Sequence, residues 1–356
     1  MSGHGELIEF YRSYGESSFA DDAPVYAEVC AHLGEHPDLV ALIAAHDPDA
    51  RQPNLLFAAV HYLLLAGLDH PLREIYDGTS SQPVTPVFAD AVLTNRSAID
   101  ALLRSNRTQT NEVGRSAVLA LMLIDAQERA RQPLAWLDLG TSGGLNLNID
   151  RFRIDYEIDG RSAGTGPHDA RLALKCQVRS GTPTINATHA DIAWRIGVDR
   201  SPVQVSDADQ ARWLQACLWP TQPERRARMA TAIETAQAHP YTIIAADAVE
   251  GVEQALESAP IDAAFVMTTT WVWYYLPEAT QLAVLALLRQ SERRVRWYSL
   301  EGRGVVAELG QPPAREVIDS LIGRVEIGGG EADETAILGL SHPHGAWLDW
   351  YGDQPD

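Results

Sequence analysis

The sequence predicts an α/β fold: a mostly parallel sheet with helices on both faces, preceded by an all-helical N-terminal domain. Three observations carry this prediction. From about Glu6 to Arg131 the apolar residues recur at helical spacing and no stretch alternates as a strand would. The stretch LAWLDLGTSGGLNLNID, Leu134 to Asp150, then reads as an apolar strand, a sharp glycine turn and the start of a short helix. Beyond it strands and helices alternate to the C-terminus, the pattern of parallel βα units.

Within the N-terminal part, Pro24 to Leu33 and Pro37 to His46 are short amphipathic helices. Pro53 to Ala66 (PNLLFAAVHYLLLA) is a strongly apolar helix, with Pro at its first turn and Gly67 to end it. Thr85-Pro86 opens a helix to about Leu103. We place the helical domain at 1–106 and the sheet domain at 107–356. The link between them, RTQTNEVGRSAVLALMLIDAQERA, ends as a helix with apolar Val118, Leu119, Leu121, Met122 and Ile124. Its polar first half, Thr108 to Glu112, suits either helix capping or ligand contact.

In the sheet domain, Arg151–Ile158 and Leu172–Val178 are expected to form a hairpin, an insertion at about 151–190. Ile192 to Val198 is a strand delivering Asp199, and a helix runs from about Asp207 to Leu218. Tyr241 to Ala246 is a strand delivering Asp247. Ile261 to Thr268 is another, emptying into the run Thr268 to Tyr275 (TTTWVWYY). There follow a helix at Pro277–Arg289, a strand at Val295–Leu300, and a helix around Arg315–Ile322. Strands near Thr335–Leu340 and Ala346–Trp350 are expected to pair antiparallel at one edge. In ARWLQACLWPTQPERRAR, Trp213, Trp219, Arg225 and Arg226 read as structural, with apolar faces against the sheet.

Composition bounds the function. The 356 residues are 46% hydrophobic, enough for a large core, and the formal net charge of −20 opposes binding to phosphate backbones. The segment MSGHGELIEFYRSYG lacks a basic region followed by an apolar core, and no run of about 18 apolar residues occurs. The expectation is a cytoplasmic protein that engages neither membrane nor nucleic acid, with a small molecule as its substrate. Cys30, Cys176 and Cys217 are widely spaced and odd in number, as reduced thiols would be. His342 and His344 in HPHG lack companions for a metal site.

In an open parallel sheet the ligand lies beyond the carboxyl ends of the strands. Here those ends carry Gly140, Ser142 and Gly144, then Asp199, Asp247 and Thr268. A Rossmann-like domain binding a nucleoside gives each a task. Asp199 would accept from ribose hydroxyls, Asp247 from an adenine amino group, and the glycine turn would pass close to the ligand. An aspartate at a strand end is also an ordinary helix cap. Gly140 to Gly144 equally satisfies G-x-S-x-G, the nucleophile elbow. A serine hydrolase using Ser142, with Asp247 or Asp262 and His342 or His344, is therefore a further alternative, although no earlier strands precede the turn.

The strings LDLGTSGG, GVDRSP (Gly197 to Pro202) and AADAVEGVEQAL (Ala245 to Leu256) resemble three ligand-binding motifs of class I S-adenosylmethionine-dependent methyltransferases. The resemblance covers roughly Glu112 to Asp356, with Ser142 where that family has its middle glycine. It implies S-adenosylmethionine held by Asn111, Asp138, Gly140, Ser142, Gly144, Asp199, Asp247 and Thr268. Glu112 and Tyr274 are then the candidates for a catalytic role, beside Trp271, Trp273 and Tyr275 as a lining for the acceptor. The strings RQPNLLFAAVHYLLL, RTQTNE, ARWLQACLWPTQPERRAR and HPHGAWLDW are similar to a bacterial family, domain of unknown function 2332, over almost the whole chain. The expected activity is methyl transfer to a small acceptor; the rival from another class is a non-catalytic nucleoside-binding protein of the same fold.

Overall fold

A computed structural model describes residues 3–20, 22–302 and 319–352. The chain divides into two compact units. The first comprises residues 1–110 with 206–230, and the second 111–205 with 231–356. The helical unit therefore also takes in a segment from the second half of the sequence.

In the helical unit, α1 (Gly3–Ser18), α2 (Pro24–His32), α3 (Pro37–Ala44), α4 (Pro53–Leu65), α5 (Leu72–Tyr76), α6 (Val84–Thr94) and α7 (Arg96–Ser105) follow in order. Because α4 is apolar on nearly every side, it is buried on nearly every side. Phe57 on α4 stacks on Tyr26 with ring centroids 3.9 Å apart, and Phe19 and Phe88 close around them. Trp213 and Trp219 belong to this same core. The expectation that they face the sheet is thus corrected: the ARWLQACLWP segment is a part of the helical unit. Buried His61 fixes it there, its Nδ1 lying 3.1 Å from the carbonyls of both Ala216 and Leu218. Two acceptors at one ring nitrogen require Nδ1 to carry the proton. Burial lowers the His61 pKa to about 4, so the ring is neutral.

In the second unit, α8 (Ser116–Ala130) precedes a sheet of eleven strands. These are β1 (Leu134–Leu139), β2 (Arg153–Ile158), β3 (Arg161–Thr165), β4 (Ala173–Ser180), β5 (Ile192–Asp199), β6 (Ile243–Ala245), β7 (Ala264–Thr270), β8 (Arg294–Gly302), β9 (Ser320–Gly328), β10 (Glu334–Ser341) and β11 (Trp347–Trp350). The remaining helices of this unit are α11 (Ala248–Ser258) and α12 (Glu278–Gln290); α9 (Ala208–Ala216) lies in the helical unit's 206–230 segment, and α10 (Pro223–Ala238) begins there and ends in the second unit. The strand order is β3-β2-β4-β11-β10-β9-β8-β7-β1-β5-β6. Most pairings are parallel, and four are antiparallel.

The strands β8-β7-β1-β5-β6 form an unbroken parallel set. From β1 the chain adds β5 and then β6 on one side, and afterwards β7 and β8 on the other, so the direction of growth reverses at β1. Side chains alternate between the faces. Ala135, Leu137, Leu139, Met267 and Trp297 share a core with Val252 of α11 and Val284 and Leu288 of α12. The next residues along, among them Tyr298, point the other way, where the Tyr298 hydroxyl donates to Asp125 of α8 at 2.6 Å. Helices thus cover both faces.

Three expectations change. Arg151–Ile158 and Leu172–Val178 are not a hairpin; β2 and β4 run parallel, and the hairpin partner of β2 is β3. The last two strands do pair antiparallel, but β11 also pairs with β4, so they lie inside the sheet rather than at its edge. Of the helix expected around Arg315–Ile322, residues 315–318 lie outside the described residues, while Ser320–Ile322 belong to β9. That strand is buried along its whole length, and Arg324 and Glu326 break its apolar pattern because they pair with Asp125 and Arg129 instead of meeting water.

Replacing His61 by Ala strands two buried carbonyls, each costing about 1–3 kcal/mol. Urea denaturation of His61→Ala is expected to show a loss of about 2–4 kcal/mol, with the apolar α4 face otherwise unchanged.

Candidate functional site

Because the five central strands are parallel, their carboxyl ends lie along one rim, and the acids expected from the sequence are delivered there. The turn after β1 is built on left-handed residues: Gly140 (φ 77°), Ser142 (φ 54°) and Gly144 (φ 71°). Gly140 and Thr141 donate their N–H to Val198 O at 2.8 and 3.2 Å, tying the turn to β5. The glycines answer to the chain itself. A Cβ at Gly140 would lie 2.3 Å from Val272 Cγ2, and one at Gly144 would lie 2.4 Å from the Tyr241 ring. Instead of an α-helix, a 3₁₀ segment follows, Leu145–Arg151. Its first N–H, that of Leu145, donates to Asn111 Oδ1 at 3.0 Å.

Asp138, at the end of β1, is buried and accepts from the hydroxyls of Thr141 (2.8 Å) and Thr268 (2.9 Å). Thr268 in turn accepts from Trp136 Nε1 at 2.9 Å. Burial raises the Asp138 pKa to about 6; the two hydroxyls and the more distant Arg115 pull it down, and the neighbouring Asp199 pushes it up. Asp199, half-buried at the end of β5, accepts from Ser142 N–H through one oxygen and Ser201 N–H through the other, both at 2.8 Å. Asp247 is exposed and caps α11, its Oδ1 accepting from the N–H of Val249 (2.9 Å) and Glu250 (3.0 Å).

Glu112 is buried with Oε1 accepting from Gly114 N–H at 3.0 Å. Arg115 donates to Pro343 O (2.9 Å) and Thr270 O (3.2 Å), fastening the 342–345 turn to the end of β7. A Cβ at Gly114 would meet His344 O at 2.3 Å, so this contact is closely fitted. His342 and His344 are thereby part of a structural turn. Among the described residues, no group of three His, Cys, Asp or Glu side chains could hold a metal.

The aromatic run after β7 divides. Trp271 takes a left-handed conformation (φ 57°), uncommon for so bulky a residue, with its indole donating to Ser320 Oγ at 2.7 Å. Trp273 is buried against Trp297, ring centroids 4.5 Å apart, and so belongs to the core. Tyr274 and Tyr275 are exposed, 62% and 74%, and meet edge to face. The structure thus brings Asn111, Glu112, Asp138, Gly140, Ser142, Gly144, Asp199 and Thr268 to the carboxyl end of β1 and its neighbours. Asp247 is on the α11 cap, and Tyr274 is at the rim beyond β7.

One residue escaped the sequence reading. Glu301, near the end of β8, is fully buried, and its Oε1 accepts from the N–H of Val272 (3.2 Å) and Trp273 (3.1 Å). Its Oε2 has no hydrogen-bond partner among the described residues. Burial pushes its pKa up to about 7, against the pull of the two N–H groups, Arg115 and the Thr269 hydroxyl. The signal was available: it is an acid directly after an apolar strand, as Asp199 and Asp247 are.

A family model described as an uncharacterized protein conserved in bacteria (DUF2332) matches residues 9–350. The chain belongs to this family. No curated protein and no solved structure matches it.

Two outcomes test the rim. Gly144→Ala combines a left-handed residue with a clash on Tyr241 and is expected to cost about 2–4 kcal/mol in denaturant unfolding. For Asp138, the folded-state pKa lies above the ordinary 3.8, so the native protein keeps a proton that the unfolded chain releases. Its stabilisation is complete below about pH 4 and fades as pH rises through about 6, a change of about 3 kcal/mol at 1.36 kcal/mol per unit. Urea unfolding of wild type and Asp138→Asn across pH 4–7 is expected to differ by this decline.

Proposed function

We propose that the 111–205 and 231–356 unit is a Rossmann-like domain that binds S-adenosylmethionine, and that the protein transfers its methyl group to a small acceptor. The reversal of strand growth at β1, with the carboxyl ends of β1, β5 and β7 bearing Asp138, Asp199 and Thr268, supports a nucleoside site at that rim.

The observation that carries the reading is Asp199. Each of its oxygens is held by one backbone N–H, which fixes the carboxylate while leaving each a lone pair. A carboxylate so placed fits two adjacent ribose hydroxyls. The residues available to hold the adenosyl ligand are Asp199 with the turn backbone from Gly140 to Gly144, Asn111 behind it, and Asp247 at the α11 cap. Bound there, S-adenosylmethionine supplies a methyl group on a sulfonium, and transfer is an in-line displacement. The protein's part is alignment of the acceptor and exclusion of water. Tyr274, exposed beyond β7, presents a hydroxyl to orient an acceptor, and Glu112 is a buried carboxylate at the start of the 3₁₀ turn Val113–Arg115.

One observation favours the second reading, a nucleoside-binding protein without transferase activity. Val272 and Tyr241 occupy the space that Gly140 and Gly144 leave, where a ligand would come close to the turn.

Calorimetric titration with S-adenosylmethionine and S-adenosylhomocysteine tests both. Binding with Kd of about 1–100 μM, weakened at least about tenfold in Asp199→Asn of unchanged thermal stability, is the expected result. Binding without turnover of any acceptor in a tritiated-methyl assay supports the second reading. No heat from either ligand in folded protein overturns the adenosyl site itself.

A further inference from the structure

The run Trp271–Tyr275 is held in an uncommon conformation by several bonds: the Trp271 indole donates to Ser320, the Gln281 amide donates to Trp273 O, and one carboxylate receives two successive backbone N–H groups. Trp271 enters it left-handed, and its N–H donates to Leu300 O at 3.0 Å. The next two N–H groups, of Val272 and Trp273, converge on Glu301 Oε1. A left-handed conformation at a bulky residue is strained and persists only where its surroundings enforce it. Here two of the enforcing bonds run to a carboxylate whose other oxygen, Oε2, is buried without a partner among the described residues. A buried group left in that state is a place where charge is poorly tolerated.

From this geometry we infer that Glu301 is a positioning residue of the aromatic turn. Ionised, it grips the N–H groups of Val272 and Trp273 and holds Trp271 left-handed; on taking up a proton at its unpartnered oxygen, it loosens that grip. Hydrogen bonds to an ionised acceptor are roughly twice as strong as those to a neutral one, so the proton acts directly on the bonds that bend the turn. The surroundings of Glu301 set the balance. From the 3₁₀ turn Val113–Arg115 comes one guanidinium, Arg115, which favours the ionised form. From β9 the residue opposite is Leu321, which carries no charge, and from β7 comes the Thr269 hydroxyl. Burial dominates these and brings the proton's arrival close to neutral pH. The turn bears the exposed pair Tyr274 and Tyr275, so a proton at Glu301 would change what this part of the rim presents. The inference needs no bound ligand and holds whether or not the protein binds an adenosyl compound.

The test is fluorine NMR on protein carrying 5-fluorotryptophan at its nine tryptophans, with the resonances of Trp271 and Trp273 assigned by Trp271→Phe and Trp273→Phe. Between pH 5.5 and 8.5, without any adenosyl ligand, these two resonances are expected to shift together with a midpoint at about pH 7, and to stay flat in Glu301→Gln. In wild-type protein labelled with carboxyl-¹³C glutamate, one carboxyl resonance is expected to titrate with the same midpoint. This keeps the test decisive if Glu301→Gln folds poorly. Flat tryptophan resonances in the wild type, a shift that persists in folded Glu301→Gln, or a carboxyl midpoint apart from that of the two tryptophans would each overturn the inference.

Discussion

The structure of the second unit depends on the placement of β1. All six of its residues are buried, and it is hydrogen-bonded on both sides to parallel strands, β5 and β7. A strand so enclosed leaves its sequence little freedom but apolar residues. It also commits the chain to parallel neighbours, whose carboxyl ends must then emerge together. Everything polar at the rim follows from that constraint. The turn after β1 has to reverse within a few residues against β5, which is why Gly140 and Gly144 are left-handed and why Val198 O receives two N–H groups.

The acids at the rim meet this crowding in different ways. Asp199 accepts a backbone N–H at each oxygen, Asp247 accepts two at Oδ1, and Asp138 takes two hydroxyls. Those bonds satisfy the carboxylates and at the same time fix the loops that carry them. Glu301 is satisfied on one side alone. A left-handed non-glycine residue follows both β1, at Ser142, and β7, at Trp271, so the two ends differ in how their acids are paired and not in backbone strain.

Much of this was legible in the sequence, for physical reasons. The strand-and-turn at Leu134–Gly144 announces itself because a buried parallel strand must be apolar and its exit must be glycine-rich. Ile192–Asp199 and the α4 helix were legible on the same grounds. What was not legible depends on partners distant in sequence. β9 reads poorly as a strand because Arg324 and Glu326 are neutralised by Asp125 and Arg129, residues about 200 positions earlier. The helical unit's use of Trp213 and Trp219 rests on His61, which no local pattern links to Ala216 and Leu218. At the site, the aspartates at strand ends could be listed in advance, but not that Asp247 would cap a helix or that Trp273 would turn into the core. Such outcomes are decided by packing.

The junction between β4 and β11 has a consequence for synthesis of the chain. Gln177 of β4 pairs with Trp347 of β11, and among the described residues the three strands β2, β3 and β4 join the rest of the sheet through β11. The ribosome adds about 5–20 residues per second, so roughly 10 to 30 s separate the appearance of the two partners. Throughout that interval the β4 edge has its backbone groups exposed with no strand to receive them. The final residues of the sheet are thus the ones that close an edge made much earlier, and a chain truncated before β11 would leave it open.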